Sequence, residues 1–297
     1  MRRMTAAWRR YGLDELARQY SPSSRAPDMQ YCLSEYAKRS ESARRLLDVH
    51  EAVAYGPAPE QRFDYFPAER PGAPLHVFVH GGYWQELGRA ESSFAAIGMV
   101  AAGAAFIALG YPLAPGYSLP AITAMVGEGI RWLCGHAPQL PGAPGRIHLS
   151  GHCAGAQLVA HALADTGAWQ RSGIDPLAAV GSATLLGGVY DLEPLVGTYI
   201  NEPLGLDGPT ARACSPQHGP LVRMPPLLVG RGESETDEYA RQHREFVARA
   251  RSCGTDVTDL VVAGRHHFDL PLDLGRGATE LGAGVLRLMG LRPETEG

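Results

Sequence analysis

From residue 63 onward the chain alternates short apolar runs with longer stretches of helical periodicity. The runs fall at 75–79, 105–109, 146–149, 178–186, 226–229 and 257–262. Runs of that length between glycines, prolines and charges read as strands. The stretches at 90–102, 119–134, 154–165, 237–252 and 277–289 read as helices. In the last of these, Leu281, Val285, Leu286 and Met289 form one stripe that belongs in a core. Strands alternating with helices predict an α/β fold, a mostly parallel sheet with helices on both faces. Residues 1–60 have a different texture. Segments 14–20 and 34–50 carry the pattern of amphipathic helices, and Ser21-Pro22-Ser23-Ser24-Arg25-Ala26-Pro27 separates them with breakers. The expected organisation is an N-terminal helical extension, 1–60, forming part of a cap, followed by an α/β domain, 61–297.

Composition narrows the class of function. With 297 residues, 45% of them hydrophobic, the chain suits one large α/β domain. The formal net charge is -4 and the basic residues are scattered, so neither a nucleic-acid footprint nor a polybasic membrane patch is expected. The 36 glycines and 23 prolines fall mostly between apolar runs, which suits many loops. Five widely spaced cysteines form no C-x-x-C pair, so no disulfide framework is expected and a cytoplasmic location is. The start, Met1-Arg2-Arg3-Met4-Thr5, is basic, but no apolar core of signal-peptide length follows it. The apolar segment 99–109 is too short and too rich in glycine to span a bilayer.

Two glycine-rich turns carry the candidate chemistry. Gly151-His152-Cys153-Ala154-Gly155 follows the run at 146–149 and has the form of a nucleophile elbow, G-x-S-x-G, with cysteine in the central place. Small residues flank a nucleophile held on so sharp a turn. The N–H of Ala154 then faces a substrate carbonyl oxygen, and the helix beginning there favours negative charge. A buried structural cysteine fits the same lettering, because free cysteine is among the most buried residue types. His80-Gly81-Gly82-Tyr83-Trp84, after the run at 75–79, favours the catalytic reading. Consecutive glycines after a strand bare their N–H groups as the second half of an oxyanion hole, each donor worth ~3–4 kcal/mol in the transition state. In that scheme an acid and then a histidine follow. The histidine belongs to Gly264-Arg265-His266-His267-Phe268-Asp269. The acid belongs to the loop after 226–229, where Glu233, Glu235, Asp237 and Glu238 are equally placed by spacing.

These motifs resemble those of the arylformamidase (kynurenine formamidase) group of α/β-hydrolases, the serine-type, metal-independent one. His80-Gly81-Gly82-Tyr83-Trp84 is similar to its HGGxW signature, and Tyr111-Pro112-Leu113-Ala114-Pro115 to its Y-x-L-A-P segment. Gly188-Val189-Tyr190-Asp191-Leu192-Glu193-Pro194-Leu195 resembles its G-x-Y-D-L-E-P-L stretch, and Ser215-Pro216 a later Ser-Pro. Glu235-Thr236-Asp237-Glu238-Tyr239, with Arg241-Gln242, is similar to its acid loop, and His267-Phe268-Asp269 to its terminal H-F-[DS]. The resemblance runs roughly from Tyr36 to Met289. It implies an α/β-hydrolase fold, Glu235 as the acid and His267 as the base. It also implies an oxyanion hole at the N–H groups of Gly81, Gly82 and Ala154. His266 becomes a neighbour. The implied activity is removal of the formyl group from N-formyl-L-kynurenine or cleavage of aryl esters. The expected ligand is a small aryl substrate, with no cofactor, no metal, no nucleic acid and no membrane, and with room for a homodimer.

One position departs from the group: Cys153 stands where it has serine. A thiolate still attacks a carbonyl, through a thioester. Three outcomes follow. The enzyme hydrolyses a formamide, amide or ester; or it passes the acyl group to an amine or alcohol as an acyltransferase or cyclase; or the cysteine is an engineered replacement in a serine arylformamidase. Hydrolysis agrees best with the remaining lettering. Tyr83 and Trp84 are candidates for an aromatic substrate wall, Trp84 equally for packing beneath the turn. Tyr190 and Asp191 face the site or brace a loop, and Trp8, Tyr11, Tyr31 and Tyr36 are further candidates for walls or core.

Overall fold

One eight-stranded sheet organises the computed structural model, which describes residues 7–220 and 222–293. The basic start read from the sequence, residues 1–5, lies outside the described residues. The strands are β1 His50–Ala54, β2 Arg62–Phe66, β3 Leu75–Val79, β4 Ala105–Leu109, β5 Ile147–His152, β6 Val180–Leu186, β7 Leu227–Gly232 and β8 Val257–Val262. Their order is β1-β2-β4-β3-β5-β6-β7-β8. The β1–β2 and β2–β4 pairings are antiparallel, and every pairing from β4 to β8 is parallel. All residues of β3, β4, β5 and β6 are buried. Strands covered on both faces lose the polar alternation of half-exposed ones, which is why they read as continuous apolar runs.

The helices are α1 Leu13–Gln19, α2 Met29–Leu46, α3 Ala96–Ala101, α4 Leu119–His136, α5 Ala154–Ala164, α6 Thr166–Ser172, α7 Pro176–Ala179, α8 Gly208–Ala213, α9 Asp237–Ser252 and α10 Glu280–Leu288. Helix α4 buries Leu119, Ile122, Val126, Ile130 and Leu133, a helical stripe, and its N-cap Ser118 accepts from the Ala121 N–H. Two core layers divide the sheet faces. Leu75, Val77 and Val79 enter one layer with α4 and α5; the alternate residue Phe78 enters the other with α3 and α10. Among the described residues no helix is long and apolar enough to cross a membrane.

The sheet starts earlier than the apolar runs indicate. The helical part of the extension ends at Leu46, and β1 and β2 follow as an antiparallel edge. In β2 the apolar pattern is interrupted by Asp64. Its buried carboxylate accepts from the Arg89 guanidinium at 2.5 Å and from the Ala52 N–H at 2.9 Å. The expected helix at 90–102 is shorter, since Arg89–Glu91 is a 3-10 turn and α3 begins at Ala96.

Candidate active site

Cys153 occupies the turn between β5 and α5 with φ 55 and ψ -117. A non-glycine residue held at positive φ costs of order 1–3 kcal/mol and persists where its surroundings enforce it. Here the flanking glycines permit the turn. A Cβ on Gly151 would lie 2.3 Å from the Gly155 carbonyl oxygen, and one on Gly155 would lie 2.0 Å from that of Val79. Only bare backbone allows α5 to start this close to the sheet. The Cys153 N–H is tied to the Leu186 carbonyl at 2.8 Å, and the Cys153 carbonyl accepts from Ala156 and Gln157 in the first turn of α5. The sulfur therefore stands at the carboxyl end of a central strand and at the N-terminus of a helix.

Of the four acids in the loop after β7, Glu235 is the one at the histidine. Its Oε2 lies 3.4 Å from His267 Nδ1, and its Oε1 accepts from the Gly232 N–H at 3.0 Å. Glu233 accepts from the Gly264 N–H, while Asp237 and Glu238 form the first turn of α9. Both His267 and the Glu235 carboxylate are buried. Burial opposes charge on His267, yet the nearby Cys153 sulfur and the Glu235 carboxylate push its imidazole up to about 10. His152, on β5, is also buried, with its ring centroid 4.5 Å from that of His267. Burial and the His267 charge hold it well below 6.5, so it is neutral.

The glycine turn after β3 faces the elbow. A Cβ on Gly81 would be 3.0 Å from Cys153 Cβ. Among the described residues, no protein acceptor takes the N–H groups of Gly81, Gly82 or Ala154. The turn is rigidly backed. His80 stacks on Tyr111 with centroids 4.0 Å apart, and Tyr111 donates its hydroxyl to the His80 carbonyl at 2.9 Å. Tyr83 borders the cavity above the sulfur. Trp84 goes elsewhere: it is fully buried, and its Nε1–H donates to Gln157 Oε1 at 2.9 Å. It props the turn from the core instead of walling the cavity.

A cavity of about 330 Å³ opens onto Cys153 and His267. The N-terminal extension supplies Pro22, Met29, Leu33 and Tyr36 to its wall, and Tyr199, Ile200 and Phe268 supply more. Of the other aromatic candidates, Trp8 and Tyr11 pack on the core and Tyr31 is exposed. Tyr190 and Asp191 brace a loop: both their N–H groups donate to Gln242 Oε1, at 2.6 and 2.8 Å. His266 Nε2 lies 2.7 Å from Asp28 Oδ1, and Cys32 is close by. Their ligand atoms lie within 4.8 Å of one another, as a metal would require. However, His266 Nδ1 accepts from the N–H groups of Phe268 and Asp269 at 3.1 and 3.3 Å. Its proton is thus on Nε2, directed at Asp28, the reverse of a metal-ligating imidazole. The pair clamps α2 to the loop that carries His267.

Tyr239 was not singled out as a site residue by sequence reasoning. Its hydroxyl lies 3.8 Å from Cys153 Sγ, and its ring meets His267 edge-on with centroids 4.9 Å apart. Its signal is its place in the acid-loop lettering, four residues after Glu235.

Residues 76–269 match a family model described as an α/β hydrolase fold. The chain is 30% identical to a kynurenine formamidase of Danio rerio over 277 residues, 89% of this chain and 92% of that protein. It is 29% identical to a kynurenine formamidase of Salmo salar, over 95% of this chain and 98% of that one. It also superposes with a TM-score of 0.78 on a crystal structure, provisionally assigned as a thioesterase, from Silicibacter sp. TM1040. That match has 26% identity and covers 91% of this chain and 98% of that one. With a mostly parallel eight-stranded sheet carrying these motifs, the chain belongs to the α/β-hydrolase family, in its arylformamidase group, and is an amide or ester hydrolase.

Proposed function

We propose that the chain hydrolyses an aryl formamide of the N-formylkynurenine type, or a related amide or ester, through a Cys153–His267–Glu235 triad and a thioester. The observation carrying this reading is the buried His267–Glu235 pair, 3.4 Å apart, with His267 and Cys153 opening onto one cavity walled largely by apolar and aromatic side chains. Residues of the N-terminal extension serve as its cap. The free cysteines fit a cytoplasmic location.

In the first step the Cys153 thiolate attacks the carbonyl carbon, and the electrons of the C=O bond pass to oxygen. The N–H groups of Gly81, Gly82 and Ala154 receive that oxyanion. The tetrahedral intermediate collapses. His267 gives its Nε2 proton to the leaving nitrogen or oxygen as the carbonyl-to-leaving-group bond breaks, and the amine or alcohol departs. His267, now neutral, takes a proton from water, whose oxygen adds to the thioester. The C–S bond breaks, the acid leaves and the thiolate–imidazolium pair returns. Glu235 orients the ring and stabilises its charge throughout, without itself being protonated.

Acyl transfer differs only in the second half, where an amine or alcohol replaces water. The sulfur favours keeping it in view, since thioesters pass readily to amines. Intact-protein mass spectrometry decides. After mixing with N-formylkynurenine or aryl esters, a formyl or acyl mass increment on Cys153 that decays in buffer is expected. Increments that persist until an amine is added indicate transfer. No increment on Cys153 with any substrate that is turned over overturns the triad.

A further inference from the structure

The sulfur is surrounded by phenols whose protons are all committed to other acceptors. Tyr83 Oη lies 2.6 Å from the Tyr20 carbonyl oxygen and 2.6 Å from Tyr239 Oη, and Tyr239 Oη lies 3.8 Å from Cys153 Sγ. A carbonyl oxygen only accepts, so the single Tyr83 proton is held at Tyr20. The Tyr83 oxygen must then accept, and the Tyr239 proton is held at Tyr83. What Tyr239 turns toward the sulfur is a lone pair. Burial keeps both phenols well above 10, so both retain their protons. Tyr111, on the loop after β4, donates to the His80 and Gly81 carbonyls, and Tyr36, on α2, donates to the Phe268 carbonyl. Among the described residues, neutral His152 on β5 and His267 with Glu235 also stand at this end of the cavity, whose lining includes Glu86.

We propose that Tyr83 and Tyr239 are positioning residues that set the balance between thiol and thiolate at Cys153, by withholding a hydrogen-bond donor that the Tyr20 carbonyl ties down. The nucleophile's charge then depends on His267. Because Tyr20 caps α1 of the extension, the direction of the hydroxyl chain is imposed by the cap. Gln19 and Tyr20 reach the other side of the site as well. The Gln19 carbonyl accepts from Thr236 Oγ1 at 2.6 Å, and the Tyr20 hydroxyl donates to Glu238 at 2.8 Å. The inference rests on the reading of Cys153 and His267 as a nucleophile–base pair.

The test is the pH dependence of Cys153 alkylation by iodoacetamide in the full chain, followed by peptide mass spectrometry to separate Cys153 from the other cysteines. Tyr83→Phe frees the Tyr239 proton to turn to the thiolate. A hydrogen bond to a charged group then lowers the midpoint of the profile by about one unit or more. Tyr83→Phe/Tyr239→Phe has no proton to offer and loses that shift. Tyr239→Phe alone does not raise the midpoint. An unchanged midpoint in Tyr83→Phe overturns the proposal, as does a shift retained in the double variant. If Tyr83→Phe fails to fold, Tyr239→Phe still decides, because a midpoint raised by about one unit would mean that Tyr239 already donates to the sulfur. His267→Ala separates the two claims: a profile indifferent to it removes the nucleophile–base pair itself.

Discussion

Replacing Gly155 by alanine places one methyl group where the elbow meets the glycine turn. The new Cβ would lie 2.0 Å from the Val79 carbonyl oxygen and 2.5 Å from that of His80. Ordinary contact begins at 3.4 Å, so α5 and the end of β3 must part by about 1.4 Å. Neither obstacle is a side chain that can rotate away. Overpacking of this kind costs about 1–3 kcal/mol, a loss of several degrees in Tm for a chain of this size. The catalytic cost is larger. Val79 and His80 lead directly into Gly81 and Gly82, so the parting displaces one set of the proposed oxyanion donors relative to the other. A misplacement of about 1 Å costs ~10²-fold in rate. Gly155→Ala is therefore expected to fold, to melt a few degrees lower and to lose about 10²-fold in kcat on an aryl ester, with KM little changed. Thermal melts and steady-state kinetics on the same preparation measure both. Gly135→Ala is the control: an added Cβ there meets nothing within 4 Å, and alanine in a helix gains roughly 0.5–1 kcal/mol. Wild-type kcat in Gly155→Ala would refute the proposed oxyanion geometry.

Three further outcomes are expected. His267 is held at about 10 against an ordinary 6.5, so its contribution to stability is full below pH 6.5 and is lost as pH rises through 10; Tm should fall over that window, and fall less in Cys153→Ala. Cys153→Ser removes the charge that does most to raise His267. The pH–rate profile on an aryl ester should then acquire an acidic limb near the ordinary imidazole value of about 6.5. Gln19→Ala removes the Oε1 that accepts from the Glu238 N–H at 3.2 Å in the first turn of α9; a loss of about 1 kcal/mol in chemical denaturation is expected, with kcat falling more than KM rises.

Much of the fold was legible because the central parallel strands are buried on both faces. β3, β4 and β5 stand in the sequence as bare apolar runs between breakers. The antiparallel edge was not, for two local reasons. Asp64 puts a charge in the middle of β2 and is satisfied by the Ala52 N–H and by Arg89, which is 25 positions away. β1 is half exposed and carries His50 and Glu51, so it looks like the tail of a helix. Within the site, the glycine turns and the cysteine could be read from letters alone, because tight backbone geometry admits few residue types. The choice of acid could not be read from spacing. Glu233, Glu235, Asp237 and Glu238 lie within six residues, and what separates them is the direction in which a loop turns each carboxylate.

The hydroxyl chain shows a deeper limit of the same kind. Tyr20, Tyr83 and Tyr239 are separated by 63 and 156 positions, and each alone is an ordinary tyrosine, buried at 20 and 239 and half-buried at 83. Their chemistry lies in the order of donor and acceptor, and that order begins at a main-chain carbonyl that any residue at position 20 would offer. A tyrosine in a sequence announces a hydroxyl but not which way its proton faces. At Cys153 that direction decides whether the neighbouring phenol stabilises the sulfur's charge or opposes it. On this proposal the extension does more than line the cavity: by fixing one carbonyl, it sets the polarity of the hydroxyl groups around Cys153.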